Sequence, residues 1–317
     1  MEVYNNPIVE KSQQVLSQVR KVVVGKDNVL LWVIAAILAR GHILLEDIPG
    51  VGKTTMAVAF SRALGLSYNR VQFTPDVLPS DVTGYSVLNQ STGEMTYRPG
   101  AVLCNLFLAD ELNRATSRTQ SALLEAMEEG QVTVDGTTHK LPEPFVVIAT
   151  QNPAGAAGTQ LLPDSQIDRF TVRLSLGYPE EADEIAMLMQ RQGEDPMNTV
   201  EQLMTLEEIT QLQDAVAKIH VSKEVAAYVV QLIGETRRSD LVLRGASPRA
   251  TLAVTAMAKA VACLRDRDFV VPRDVQEVLG VTVAHRLKLS PKAEAEDMTP
   301  EQVLETLMAK VRAPKLR

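Results

Sequence analysis

Between residues 42 and 177, short and nearly continuous apolar runs alternate with stretches of helical periodicity. The runs at 42–46, 67–73, 106–110, 145–150 and 170–176 lack the in–out alternation of a half-exposed strand. They predict strands covered on both faces of a parallel sheet. Helical pattern fills the stretch after Lys53 and the stretch 118–128. The predicted architecture is therefore a three-layer α/β domain. Two hairpins are expected, one pairing 85–88 with 95–98, the other pairing 131–134 with 137–141 around Asp135-Gly136, a strong two-residue turn signal. Ser117 and Gln120 are spaced as a capping box for the helix before the second hairpin. After Tyr178-Pro179 the strand pattern fades and helix formers dominate at 184–192, 206–218, 223–235 and 247–264. The chain thus divides into an α/β domain at 1–179 and an all-helical domain at 180–317.

Composition agrees with that division. At about 150 residues per domain, 317 residues make roughly two domains. A chain 45% hydrophobic and 22% charged is globular rather than disordered. Only 4% of residues are aromatic, which argues against a β-sandwich or a base-stacking platform. The net charge of −7 removes any general pull toward nucleic acid or anionic lipid, leaving only a local basic groove as a route to either. The longest apolar run, 30–39, has ten residues against the roughly 20 that a membrane span needs, and predicts a buried helix. Cys104 and Cys263 match no metal-ligand spacing and read as buried thiols in a reducing compartment. His42, His139, His220 and His285 do not cluster at ligand spacing either, and His42 reads as a packed core residue. The first seven residues carry neither a basic n-region nor an apolar h-region, so a cytoplasmic location is expected.

The chemistry concentrates at strand ends. Asp47-Ile48-Pro49-Gly50-Val51-Gly52-Lys53-Thr54-Thr55 follows an apolar strand and opens a helix, the setting a phosphate-binding loop requires. Gly50 and Gly52 let the backbone wrap around phosphate oxygens, and the N–H groups of the helix start supply donors. Lys53 can reach the β- and γ-phosphates and the Thr54 hydroxyl can ligate Mg²⁺. Asp47 stands where the general pattern has glycine, and aspartate tolerates the left-handed backbone that such a turn would need. The run 106–110 ends in Asp110-Glu111; a cation offsets the cost of burying adjacent carboxylates, with Asp110 facing Mg²⁺ and Glu111 polarising water. Asn152, in Gln151-Asn152-Pro153, is placed to reach the γ-phosphate or its attacking water, against the plainer reading of an Asn-Pro turn. Arg169 lies at a helix-to-strand transition. Arg249 follows Ser247-Pro248, a good N-cap and first helical residue. Both arginines also suit ordinary surface ion pairs. Glu128-Glu129 and Glu180-Glu181 read as solvated helix ends, and Met187, Met189, Met197 and Met204 as core or loop.

Together the segments 41–54, 72–81 (Gln72-Phe73-Thr74-Pro75-Asp76 onward), 109–115 (Ala109-Asp110-Glu111-Leu112-Asn113-Arg114-Ala115), 149–153 and 166–170 resemble an AAA+ ATPase, and more narrowly the MoxR family. Asp47 is a familiar variant there. The resemblance implies a P-loop NTPase fold, a parallel five-stranded sheet followed by an all-α lid, with a helix-2 insert at about 84–98 and a pre-sensor-1 hairpin at about 131–141. It implies ATP and Mg²⁺ as ligands. Pro49, Gly50, Val51, Gly52, Lys53, Thr54 and Thr55 would form Walker A, Asp110 and Glu111 Walker B, Asn152 sensor 1, Arg169 an arginine finger offered to the next subunit, and Arg249 sensor 2, in cis or in trans. Val24 and Gly25 would line the adenine pocket, and Arg114 is a weaker candidate for an intersubunit contact.

The same resemblance implies a homo-oligomer, a hexameric ring, that hydrolyses ATP in an assembly-dependent way to mature or activate protein complexes. A protein client and a partner with a von Willebrand factor A domain go with that role. A metal-chelatase motor subunit shares the insert and stays open as an alternative. A nucleic-acid motor fits less well, because the hairpin at 131–141 offers only His139 and Lys140 against Asp135. A nucleotide-binding scaffold without turnover would not need Lys53, Glu111 and Asn152 together.

Overall fold

The computed structural model describes residues 7–90, 93–152, 162–190 and 192–315. The start of the chain to residue 6, Ser91-Thr92 in the first hairpin turn, and Pro153 of the Asn152 segment lie outside the described residues. In chain order the strands are β1 (Ile43–Glu46), β2 (Tyr68–Gln72), β3 (Gly84–Leu88), β4 (Met95–Pro99), β5 (Leu106–Asp110), β6 (Gln131–Val134), β7 (Thr137–Lys140), β8 (Val146–Gln151), β9 (Val172–Leu174), β10 (Val242–Arg244) and β11 (Lys288–Leu289). Five form one sheet in the order β2-β5-β8-β1-β9, every pair parallel.

Each of the five falls on a predicted run. On β1, Ile43 and Leu45 pack into one apolar cluster and Leu44 into another; on β5, Leu106 and Leu108 separate in the same way from Phe107 and Ala109. Period-two alternation therefore sends every second residue of β1 and β5 to a different core, which is why their inner positions are apolar; β2, at the sheet edge, departs from the expectation, with Asn69, Arg70 and Gln72 exposed. Four of the strands start one or two residues inside their runs, and β5 starts with its run. Phe145 packs edge-to-face on His42 at 5.8 Å, and the Phe170 carbonyl accepts from Arg286 Nη2 (2.7 Å) and His285 Nε2 (3.1 Å) instead of a strand partner.

The helices of the α/β part are α1 (Pro7–Arg20), α2 (Asp27–Leu38), α3 (Lys53–Ala63), α4 (Pro79–Thr83), α5 (Ser117–Glu129) and α6 (Asp164–Ile167). The apolar run at 30–39 forms α2 as far as Leu38, with Leu30 and 33–38 buried. The expected Ser117–Gln120 box does not form: Thr116, one residue earlier and extended, caps α5 by accepting from the Thr119 N–H, and Gln120 Nε2 donates to the Leu112 and Ala115 carbonyls. Beyond residue 179 come α7 (Glu181–Gln190), α8 (Leu206–Lys218), α9 (Lys223–Arg238), α10 (Pro248–Leu264), α11 (Pro272–Val283), α12 (Pro291–Ala295) and α13 (Pro300–Lys310). The antiparallel pair β10–β11 also lies there; strands of two or three residues carry no periodic signal in sequence. Ile209, Tyr228, Val254 and Val278 join Leu30 and Ile34 in one continuous core, so these helices rest on α1 and α2.

Both hairpins form, and Asp135 (φ +49°) and Gly136 (φ +78°) make the predicted turn. They touch: the Tyr97 ring stacks on His139 at 3.7 Å while the Tyr97 hydroxyl donates to the Thr83 carbonyl. His42 is bound at both nitrogens, Nδ1 accepting the Val147 N–H (3.0 Å) and Nε2 facing the Met127 carbonyl (3.1 Å), which assigns the neutral Nε2–H tautomer. Burial lowers its pKa to about 4, the Met127 hydrogen bond offsetting part of the effect. The unfolded ring titrates near 6.5, so the unfolded state binds the extra proton between these values. Stability is complete above about pH 6.5 and falls toward pH 4, by about 2 kcal/mol between pH 7 and 5. Urea unfolding at the two pH values should show that loss, reduced in His42→Asn; the flattening is partial because burial lowers His285 in the same direction.

Candidate nucleotide site

The loop after β1 turns at two left-handed glycines, Gly50 (φ +88°) and Gly52 (φ +95°), and no atom lies within 4 Å of a side chain built at either. Gly52 is the N-cap of α3. Lys53 folds back, its Nζ donating to the Asp47 (2.9 Å) and Ile48 (3.2 Å) carbonyls. Burial lowers the pKa of this ammonium, while Asp47, Asp110 and Glu111 act to raise it. A cleft of about 310 Å³ opens over the loop, and Lys53, Thr54, Arg70, Asp110, Glu111 and Asn152 line it together with Pro49, Gly50, Gly52 and Thr55. A glycine-walled cleft beside the N–H groups of a helix start and an ammonium suits a polyphosphate. The hydroxyl of Thr54 and the carboxylate of Asp110 are the hard oxygen donors that Mg²⁺ takes.

Asp47 does something other than tolerate a left-handed turn, because its φ is not positive. Its buried carboxylate accepts from Ser175 Oγ (2.7 Å), the Leu176 N–H (2.6 Å) and the Gly177 N–H (3.0 Å). The side chain therefore ties the phosphate loop to the segment that leaves β9 for the helical part. Asp47→Gly, which restores the general loop pattern, should strand three donors and cost about 2–4 kcal/mol. Denaturant unfolding checks it, and a variant as stable as the parent contradicts it.

The acids sit at the C-terminal end of β5. Thr150 Oγ1 donates to Asp110 Oδ1 (2.7 Å) and accepts the Glu111 N–H (2.8 Å). Arg70 pairs with Asp110 and Arg114 with Glu111, each at 2.7 Å. These arginines correct one step of the sequence reading. The two carboxylates are half-buried and already have cations from their own chain, so their placement alone does not call for a metal. Arg114, 40% exposed, meets Glu111 within its own chain. Asn152 Nδ2 approaches Glu111 Oε1 at 3.5 Å. Glu111 itself holds left-handed backbone (φ +55°, ψ +44°), a conformation worth about 1–3 kcal/mol of strain for a residue with a side chain. Arg70 and Thr150 escaped the sequence reading; the one available signal was a polar residue inside each strand.

A second cavity, about 360 Å³, adjoins the first across Pro49, Gly50, Gly52 and Thr55. Val22, Val23, Val24, Val51, Tyr178 and Met187 give it an apolar lining suited to a flat base. Val24 lines it, and so does Val51 of the phosphate loop. Gly25 is not part of the lining: at φ +72° a side chain would strike the Asp183 carboxyl, so this glycine allows α7 to pack close. Met187 lines the cavity and Met189 is exposed on α7, which buries none of its residues, so neither holds the core or loop position expected of it.

Arg169 and Arg249 line neither cavity. Parallel pairing sets Ile43 against Val172 and Leu45 against Leu174, so Arg169, just before β9, is at the opposite rim from the loop that follows β1. There its Nη1 donates to the Leu124 carbonyl (2.8 Å) and pairs with Glu128 Oε2 (3.0 Å). Arg249, in the first turn of α10, pairs with the other oxygen of the same carboxylate. Glu128 is thus no merely solvated helix end. Ser247 is the N-cap residue by position, but its hydroxyl donates to Asp168 (3.2–3.3 Å) instead of capping α10.

Comparison with known proteins gives a consistent picture. The family described as "ATPase family associated with various cellular activities (AAA)" matches residues 42–172, and one described as "AAA lid domain" matches 234–307. The Bacillus subtilis protein YeaC is 43% identical over 98% of this chain and 97% of its own. Chaperone MoxR1 of Mycobacterium tuberculosis is 36% identical over 97% of this chain and 84% of its own. A crystal structure from Cytophaga hutchinsonii, assigned as an ATPase, superposes with a TM-score of 0.90 at 35% identity, covering 98% of this chain and 96% of that one.

Proposed function

The chain belongs to the MoxR family of AAA+ ATPases, and on that premise we propose that it hydrolyses Mg-ATP at a seam between copies of itself to remodel a protein client. The carrying observation is that Arg169 and Arg249 meet at Glu128 on the rim opposite the phosphate loop, outside the chain's own cavities. Arginines in that place can serve a triphosphate only if another copy brings one to them, so both act in trans. In this reading Lys53 and the loop N–H groups hold the β- and γ-phosphates and the valine-lined cavity holds the base. Thr54 and Asp110 hold Mg²⁺, which when bound neutralises charge on the phosphates. Glu111 orients and deprotonates the attacking water while Asn152 fixes that carboxylate's direction. Arg169 and Arg249 of the adjoining copy stabilise charge developing on the transferred phosphoryl group.

The units are taken as 1–179 and 180–317, assembled as a hexameric ring. The hairpin β3–β4 exposes Tyr85, Val87, Leu88 and Met95, apolar side chains suited to gripping a protein and unsuited to a phosphate backbone. The relative named a chaperone supports a role in protein-complex maturation, and a partner with a von Willebrand factor A domain is consistent with it. Turnover measured against protein concentration tests the reading. Specific activity should rise with concentration to a plateau; a value independent of dilution contradicts it.

A further inference from the structure

Resting on the proposal that Arg169 serves a neighbouring copy's nucleotide, we infer that Glu128 is a positioning residue that presents Arg169 and Arg249 as one unit. Three features carry this. First, two arginines from different parts of the chain, one beside β9 and one opening α10, converge on the two oxygens of a single carboxylate. Two guanidinium groups repel, and a carboxylate between them is what allows them to sit side by side. Second, Glu128 occupies the last turn of α5, where the helix dipole disfavours an acid. Its side chain is 41% exposed and those of Arg169 and Arg249 are 32% and 43% exposed, so these pairs contribute little to folding. Stability does not explain an acid there; holding two cations does. Third, the backbone beside Arg169 is anchored separately: buried Arg286 binds Asp168 Oδ1 at 2.5 Å, and the Ser247 hydroxyl binds the same carboxylate.

Each guanidinium has five N–H donors; Glu128 takes one from Arg249 and the Leu124 carbonyl one from Arg169, so most remain available to a phosphate. The carboxylate also ties the first turn of α10 to α5, so a shift of the helical part changes how the arginine pair is presented.

The test compares E128Q, E128D, R169A and the double variant E128Q/R169A at protein concentrations where the parent reaches its plateau. E128Q should lower kcat about 10- to 100-fold, with binding of a fluorescent ATP analogue to dilute protein and the thermal midpoint both unchanged. E128D should recover part of the loss. On the R169A background E128Q should cost clearly less than it does alone, since its main target is gone. Parent-like kcat in E128Q, no advantage of Asp over Gln, or the same full factor on both backgrounds each overturns the inference. If R169A itself turns over like the parent, the reading in trans fails and takes this inference with it; an impaired R169A beside an unimpaired E128Q overturns the role of Glu128 alone.

Discussion

Glu111→Gln is expected to keep ATP bound and to lower turnover by about 10²–10⁴-fold, the size of a lost general base. Glutamine preserves the volume and still offers Arg114 an oxygen, so the left-handed turn and the cleft should survive the change. The proton acceptor is what disappears. Filter binding followed by nucleotide analysis should recover uncleaved ATP from the variant. Recovery of ADP at the parent's rate would show that another group activates the water.

Arg169→Ala should be as damaging by a different route. Removing an arginine finger costs about 10³–10⁵ in rate in phosphoryl transfer generally, and here the loss should appear only in assembled protein. Dilute protein should bind ATP unchanged, because Arg169 lines neither cavity. Folding should hardly suffer, because the side chains of the Glu128 pair are 32% and 41% exposed. A variant that loses ATP affinity in proportion to turnover would place Arg169 in the chain's own site and contradict this.

The sheet and the loop were legible in the sequence for reasons of local physics. Strands buried on both faces are apolar up to their C-terminal ends, as β1, β5 and β8 are, and two glycines followed by Lys-Thr at a strand-to-helix turn have few other uses. What stayed hidden depends on pairing between distant segments. Asp47 looked like a substitute for glycine, and only the packed loop shows that it is a hydrogen-bond anchor for 175–177, some 130 positions away. Glu128 looked solvated because its partners are 41 and 121 residues on. Arg70 and Arg114 belong with them: a sequence shows two acids that need a cation but not which cation the fold supplies. Gly25 was assigned to the right neighbourhood for the wrong reason, since its freedom serves the approach of Asp183 rather than a ligand.

The most direct measurement mixes two inactive variants. Lys53→Ala keeps Arg169 and lacks a working phosphate loop; Arg169→Ala keeps the loop and lacks the arginine. Each alone should hydrolyse ATP at a small fraction of the parent's rate. Mixed at equal concentration and allowed to exchange subunits, they should regain activity well above the sum of the two, because a Lys53→Ala copy can serve the nucleotide held by its Arg169→Ala neighbour. A mixture that never exceeds that sum, in protein shown to have formed joint assemblies, would contradict catalysis shared across the seam.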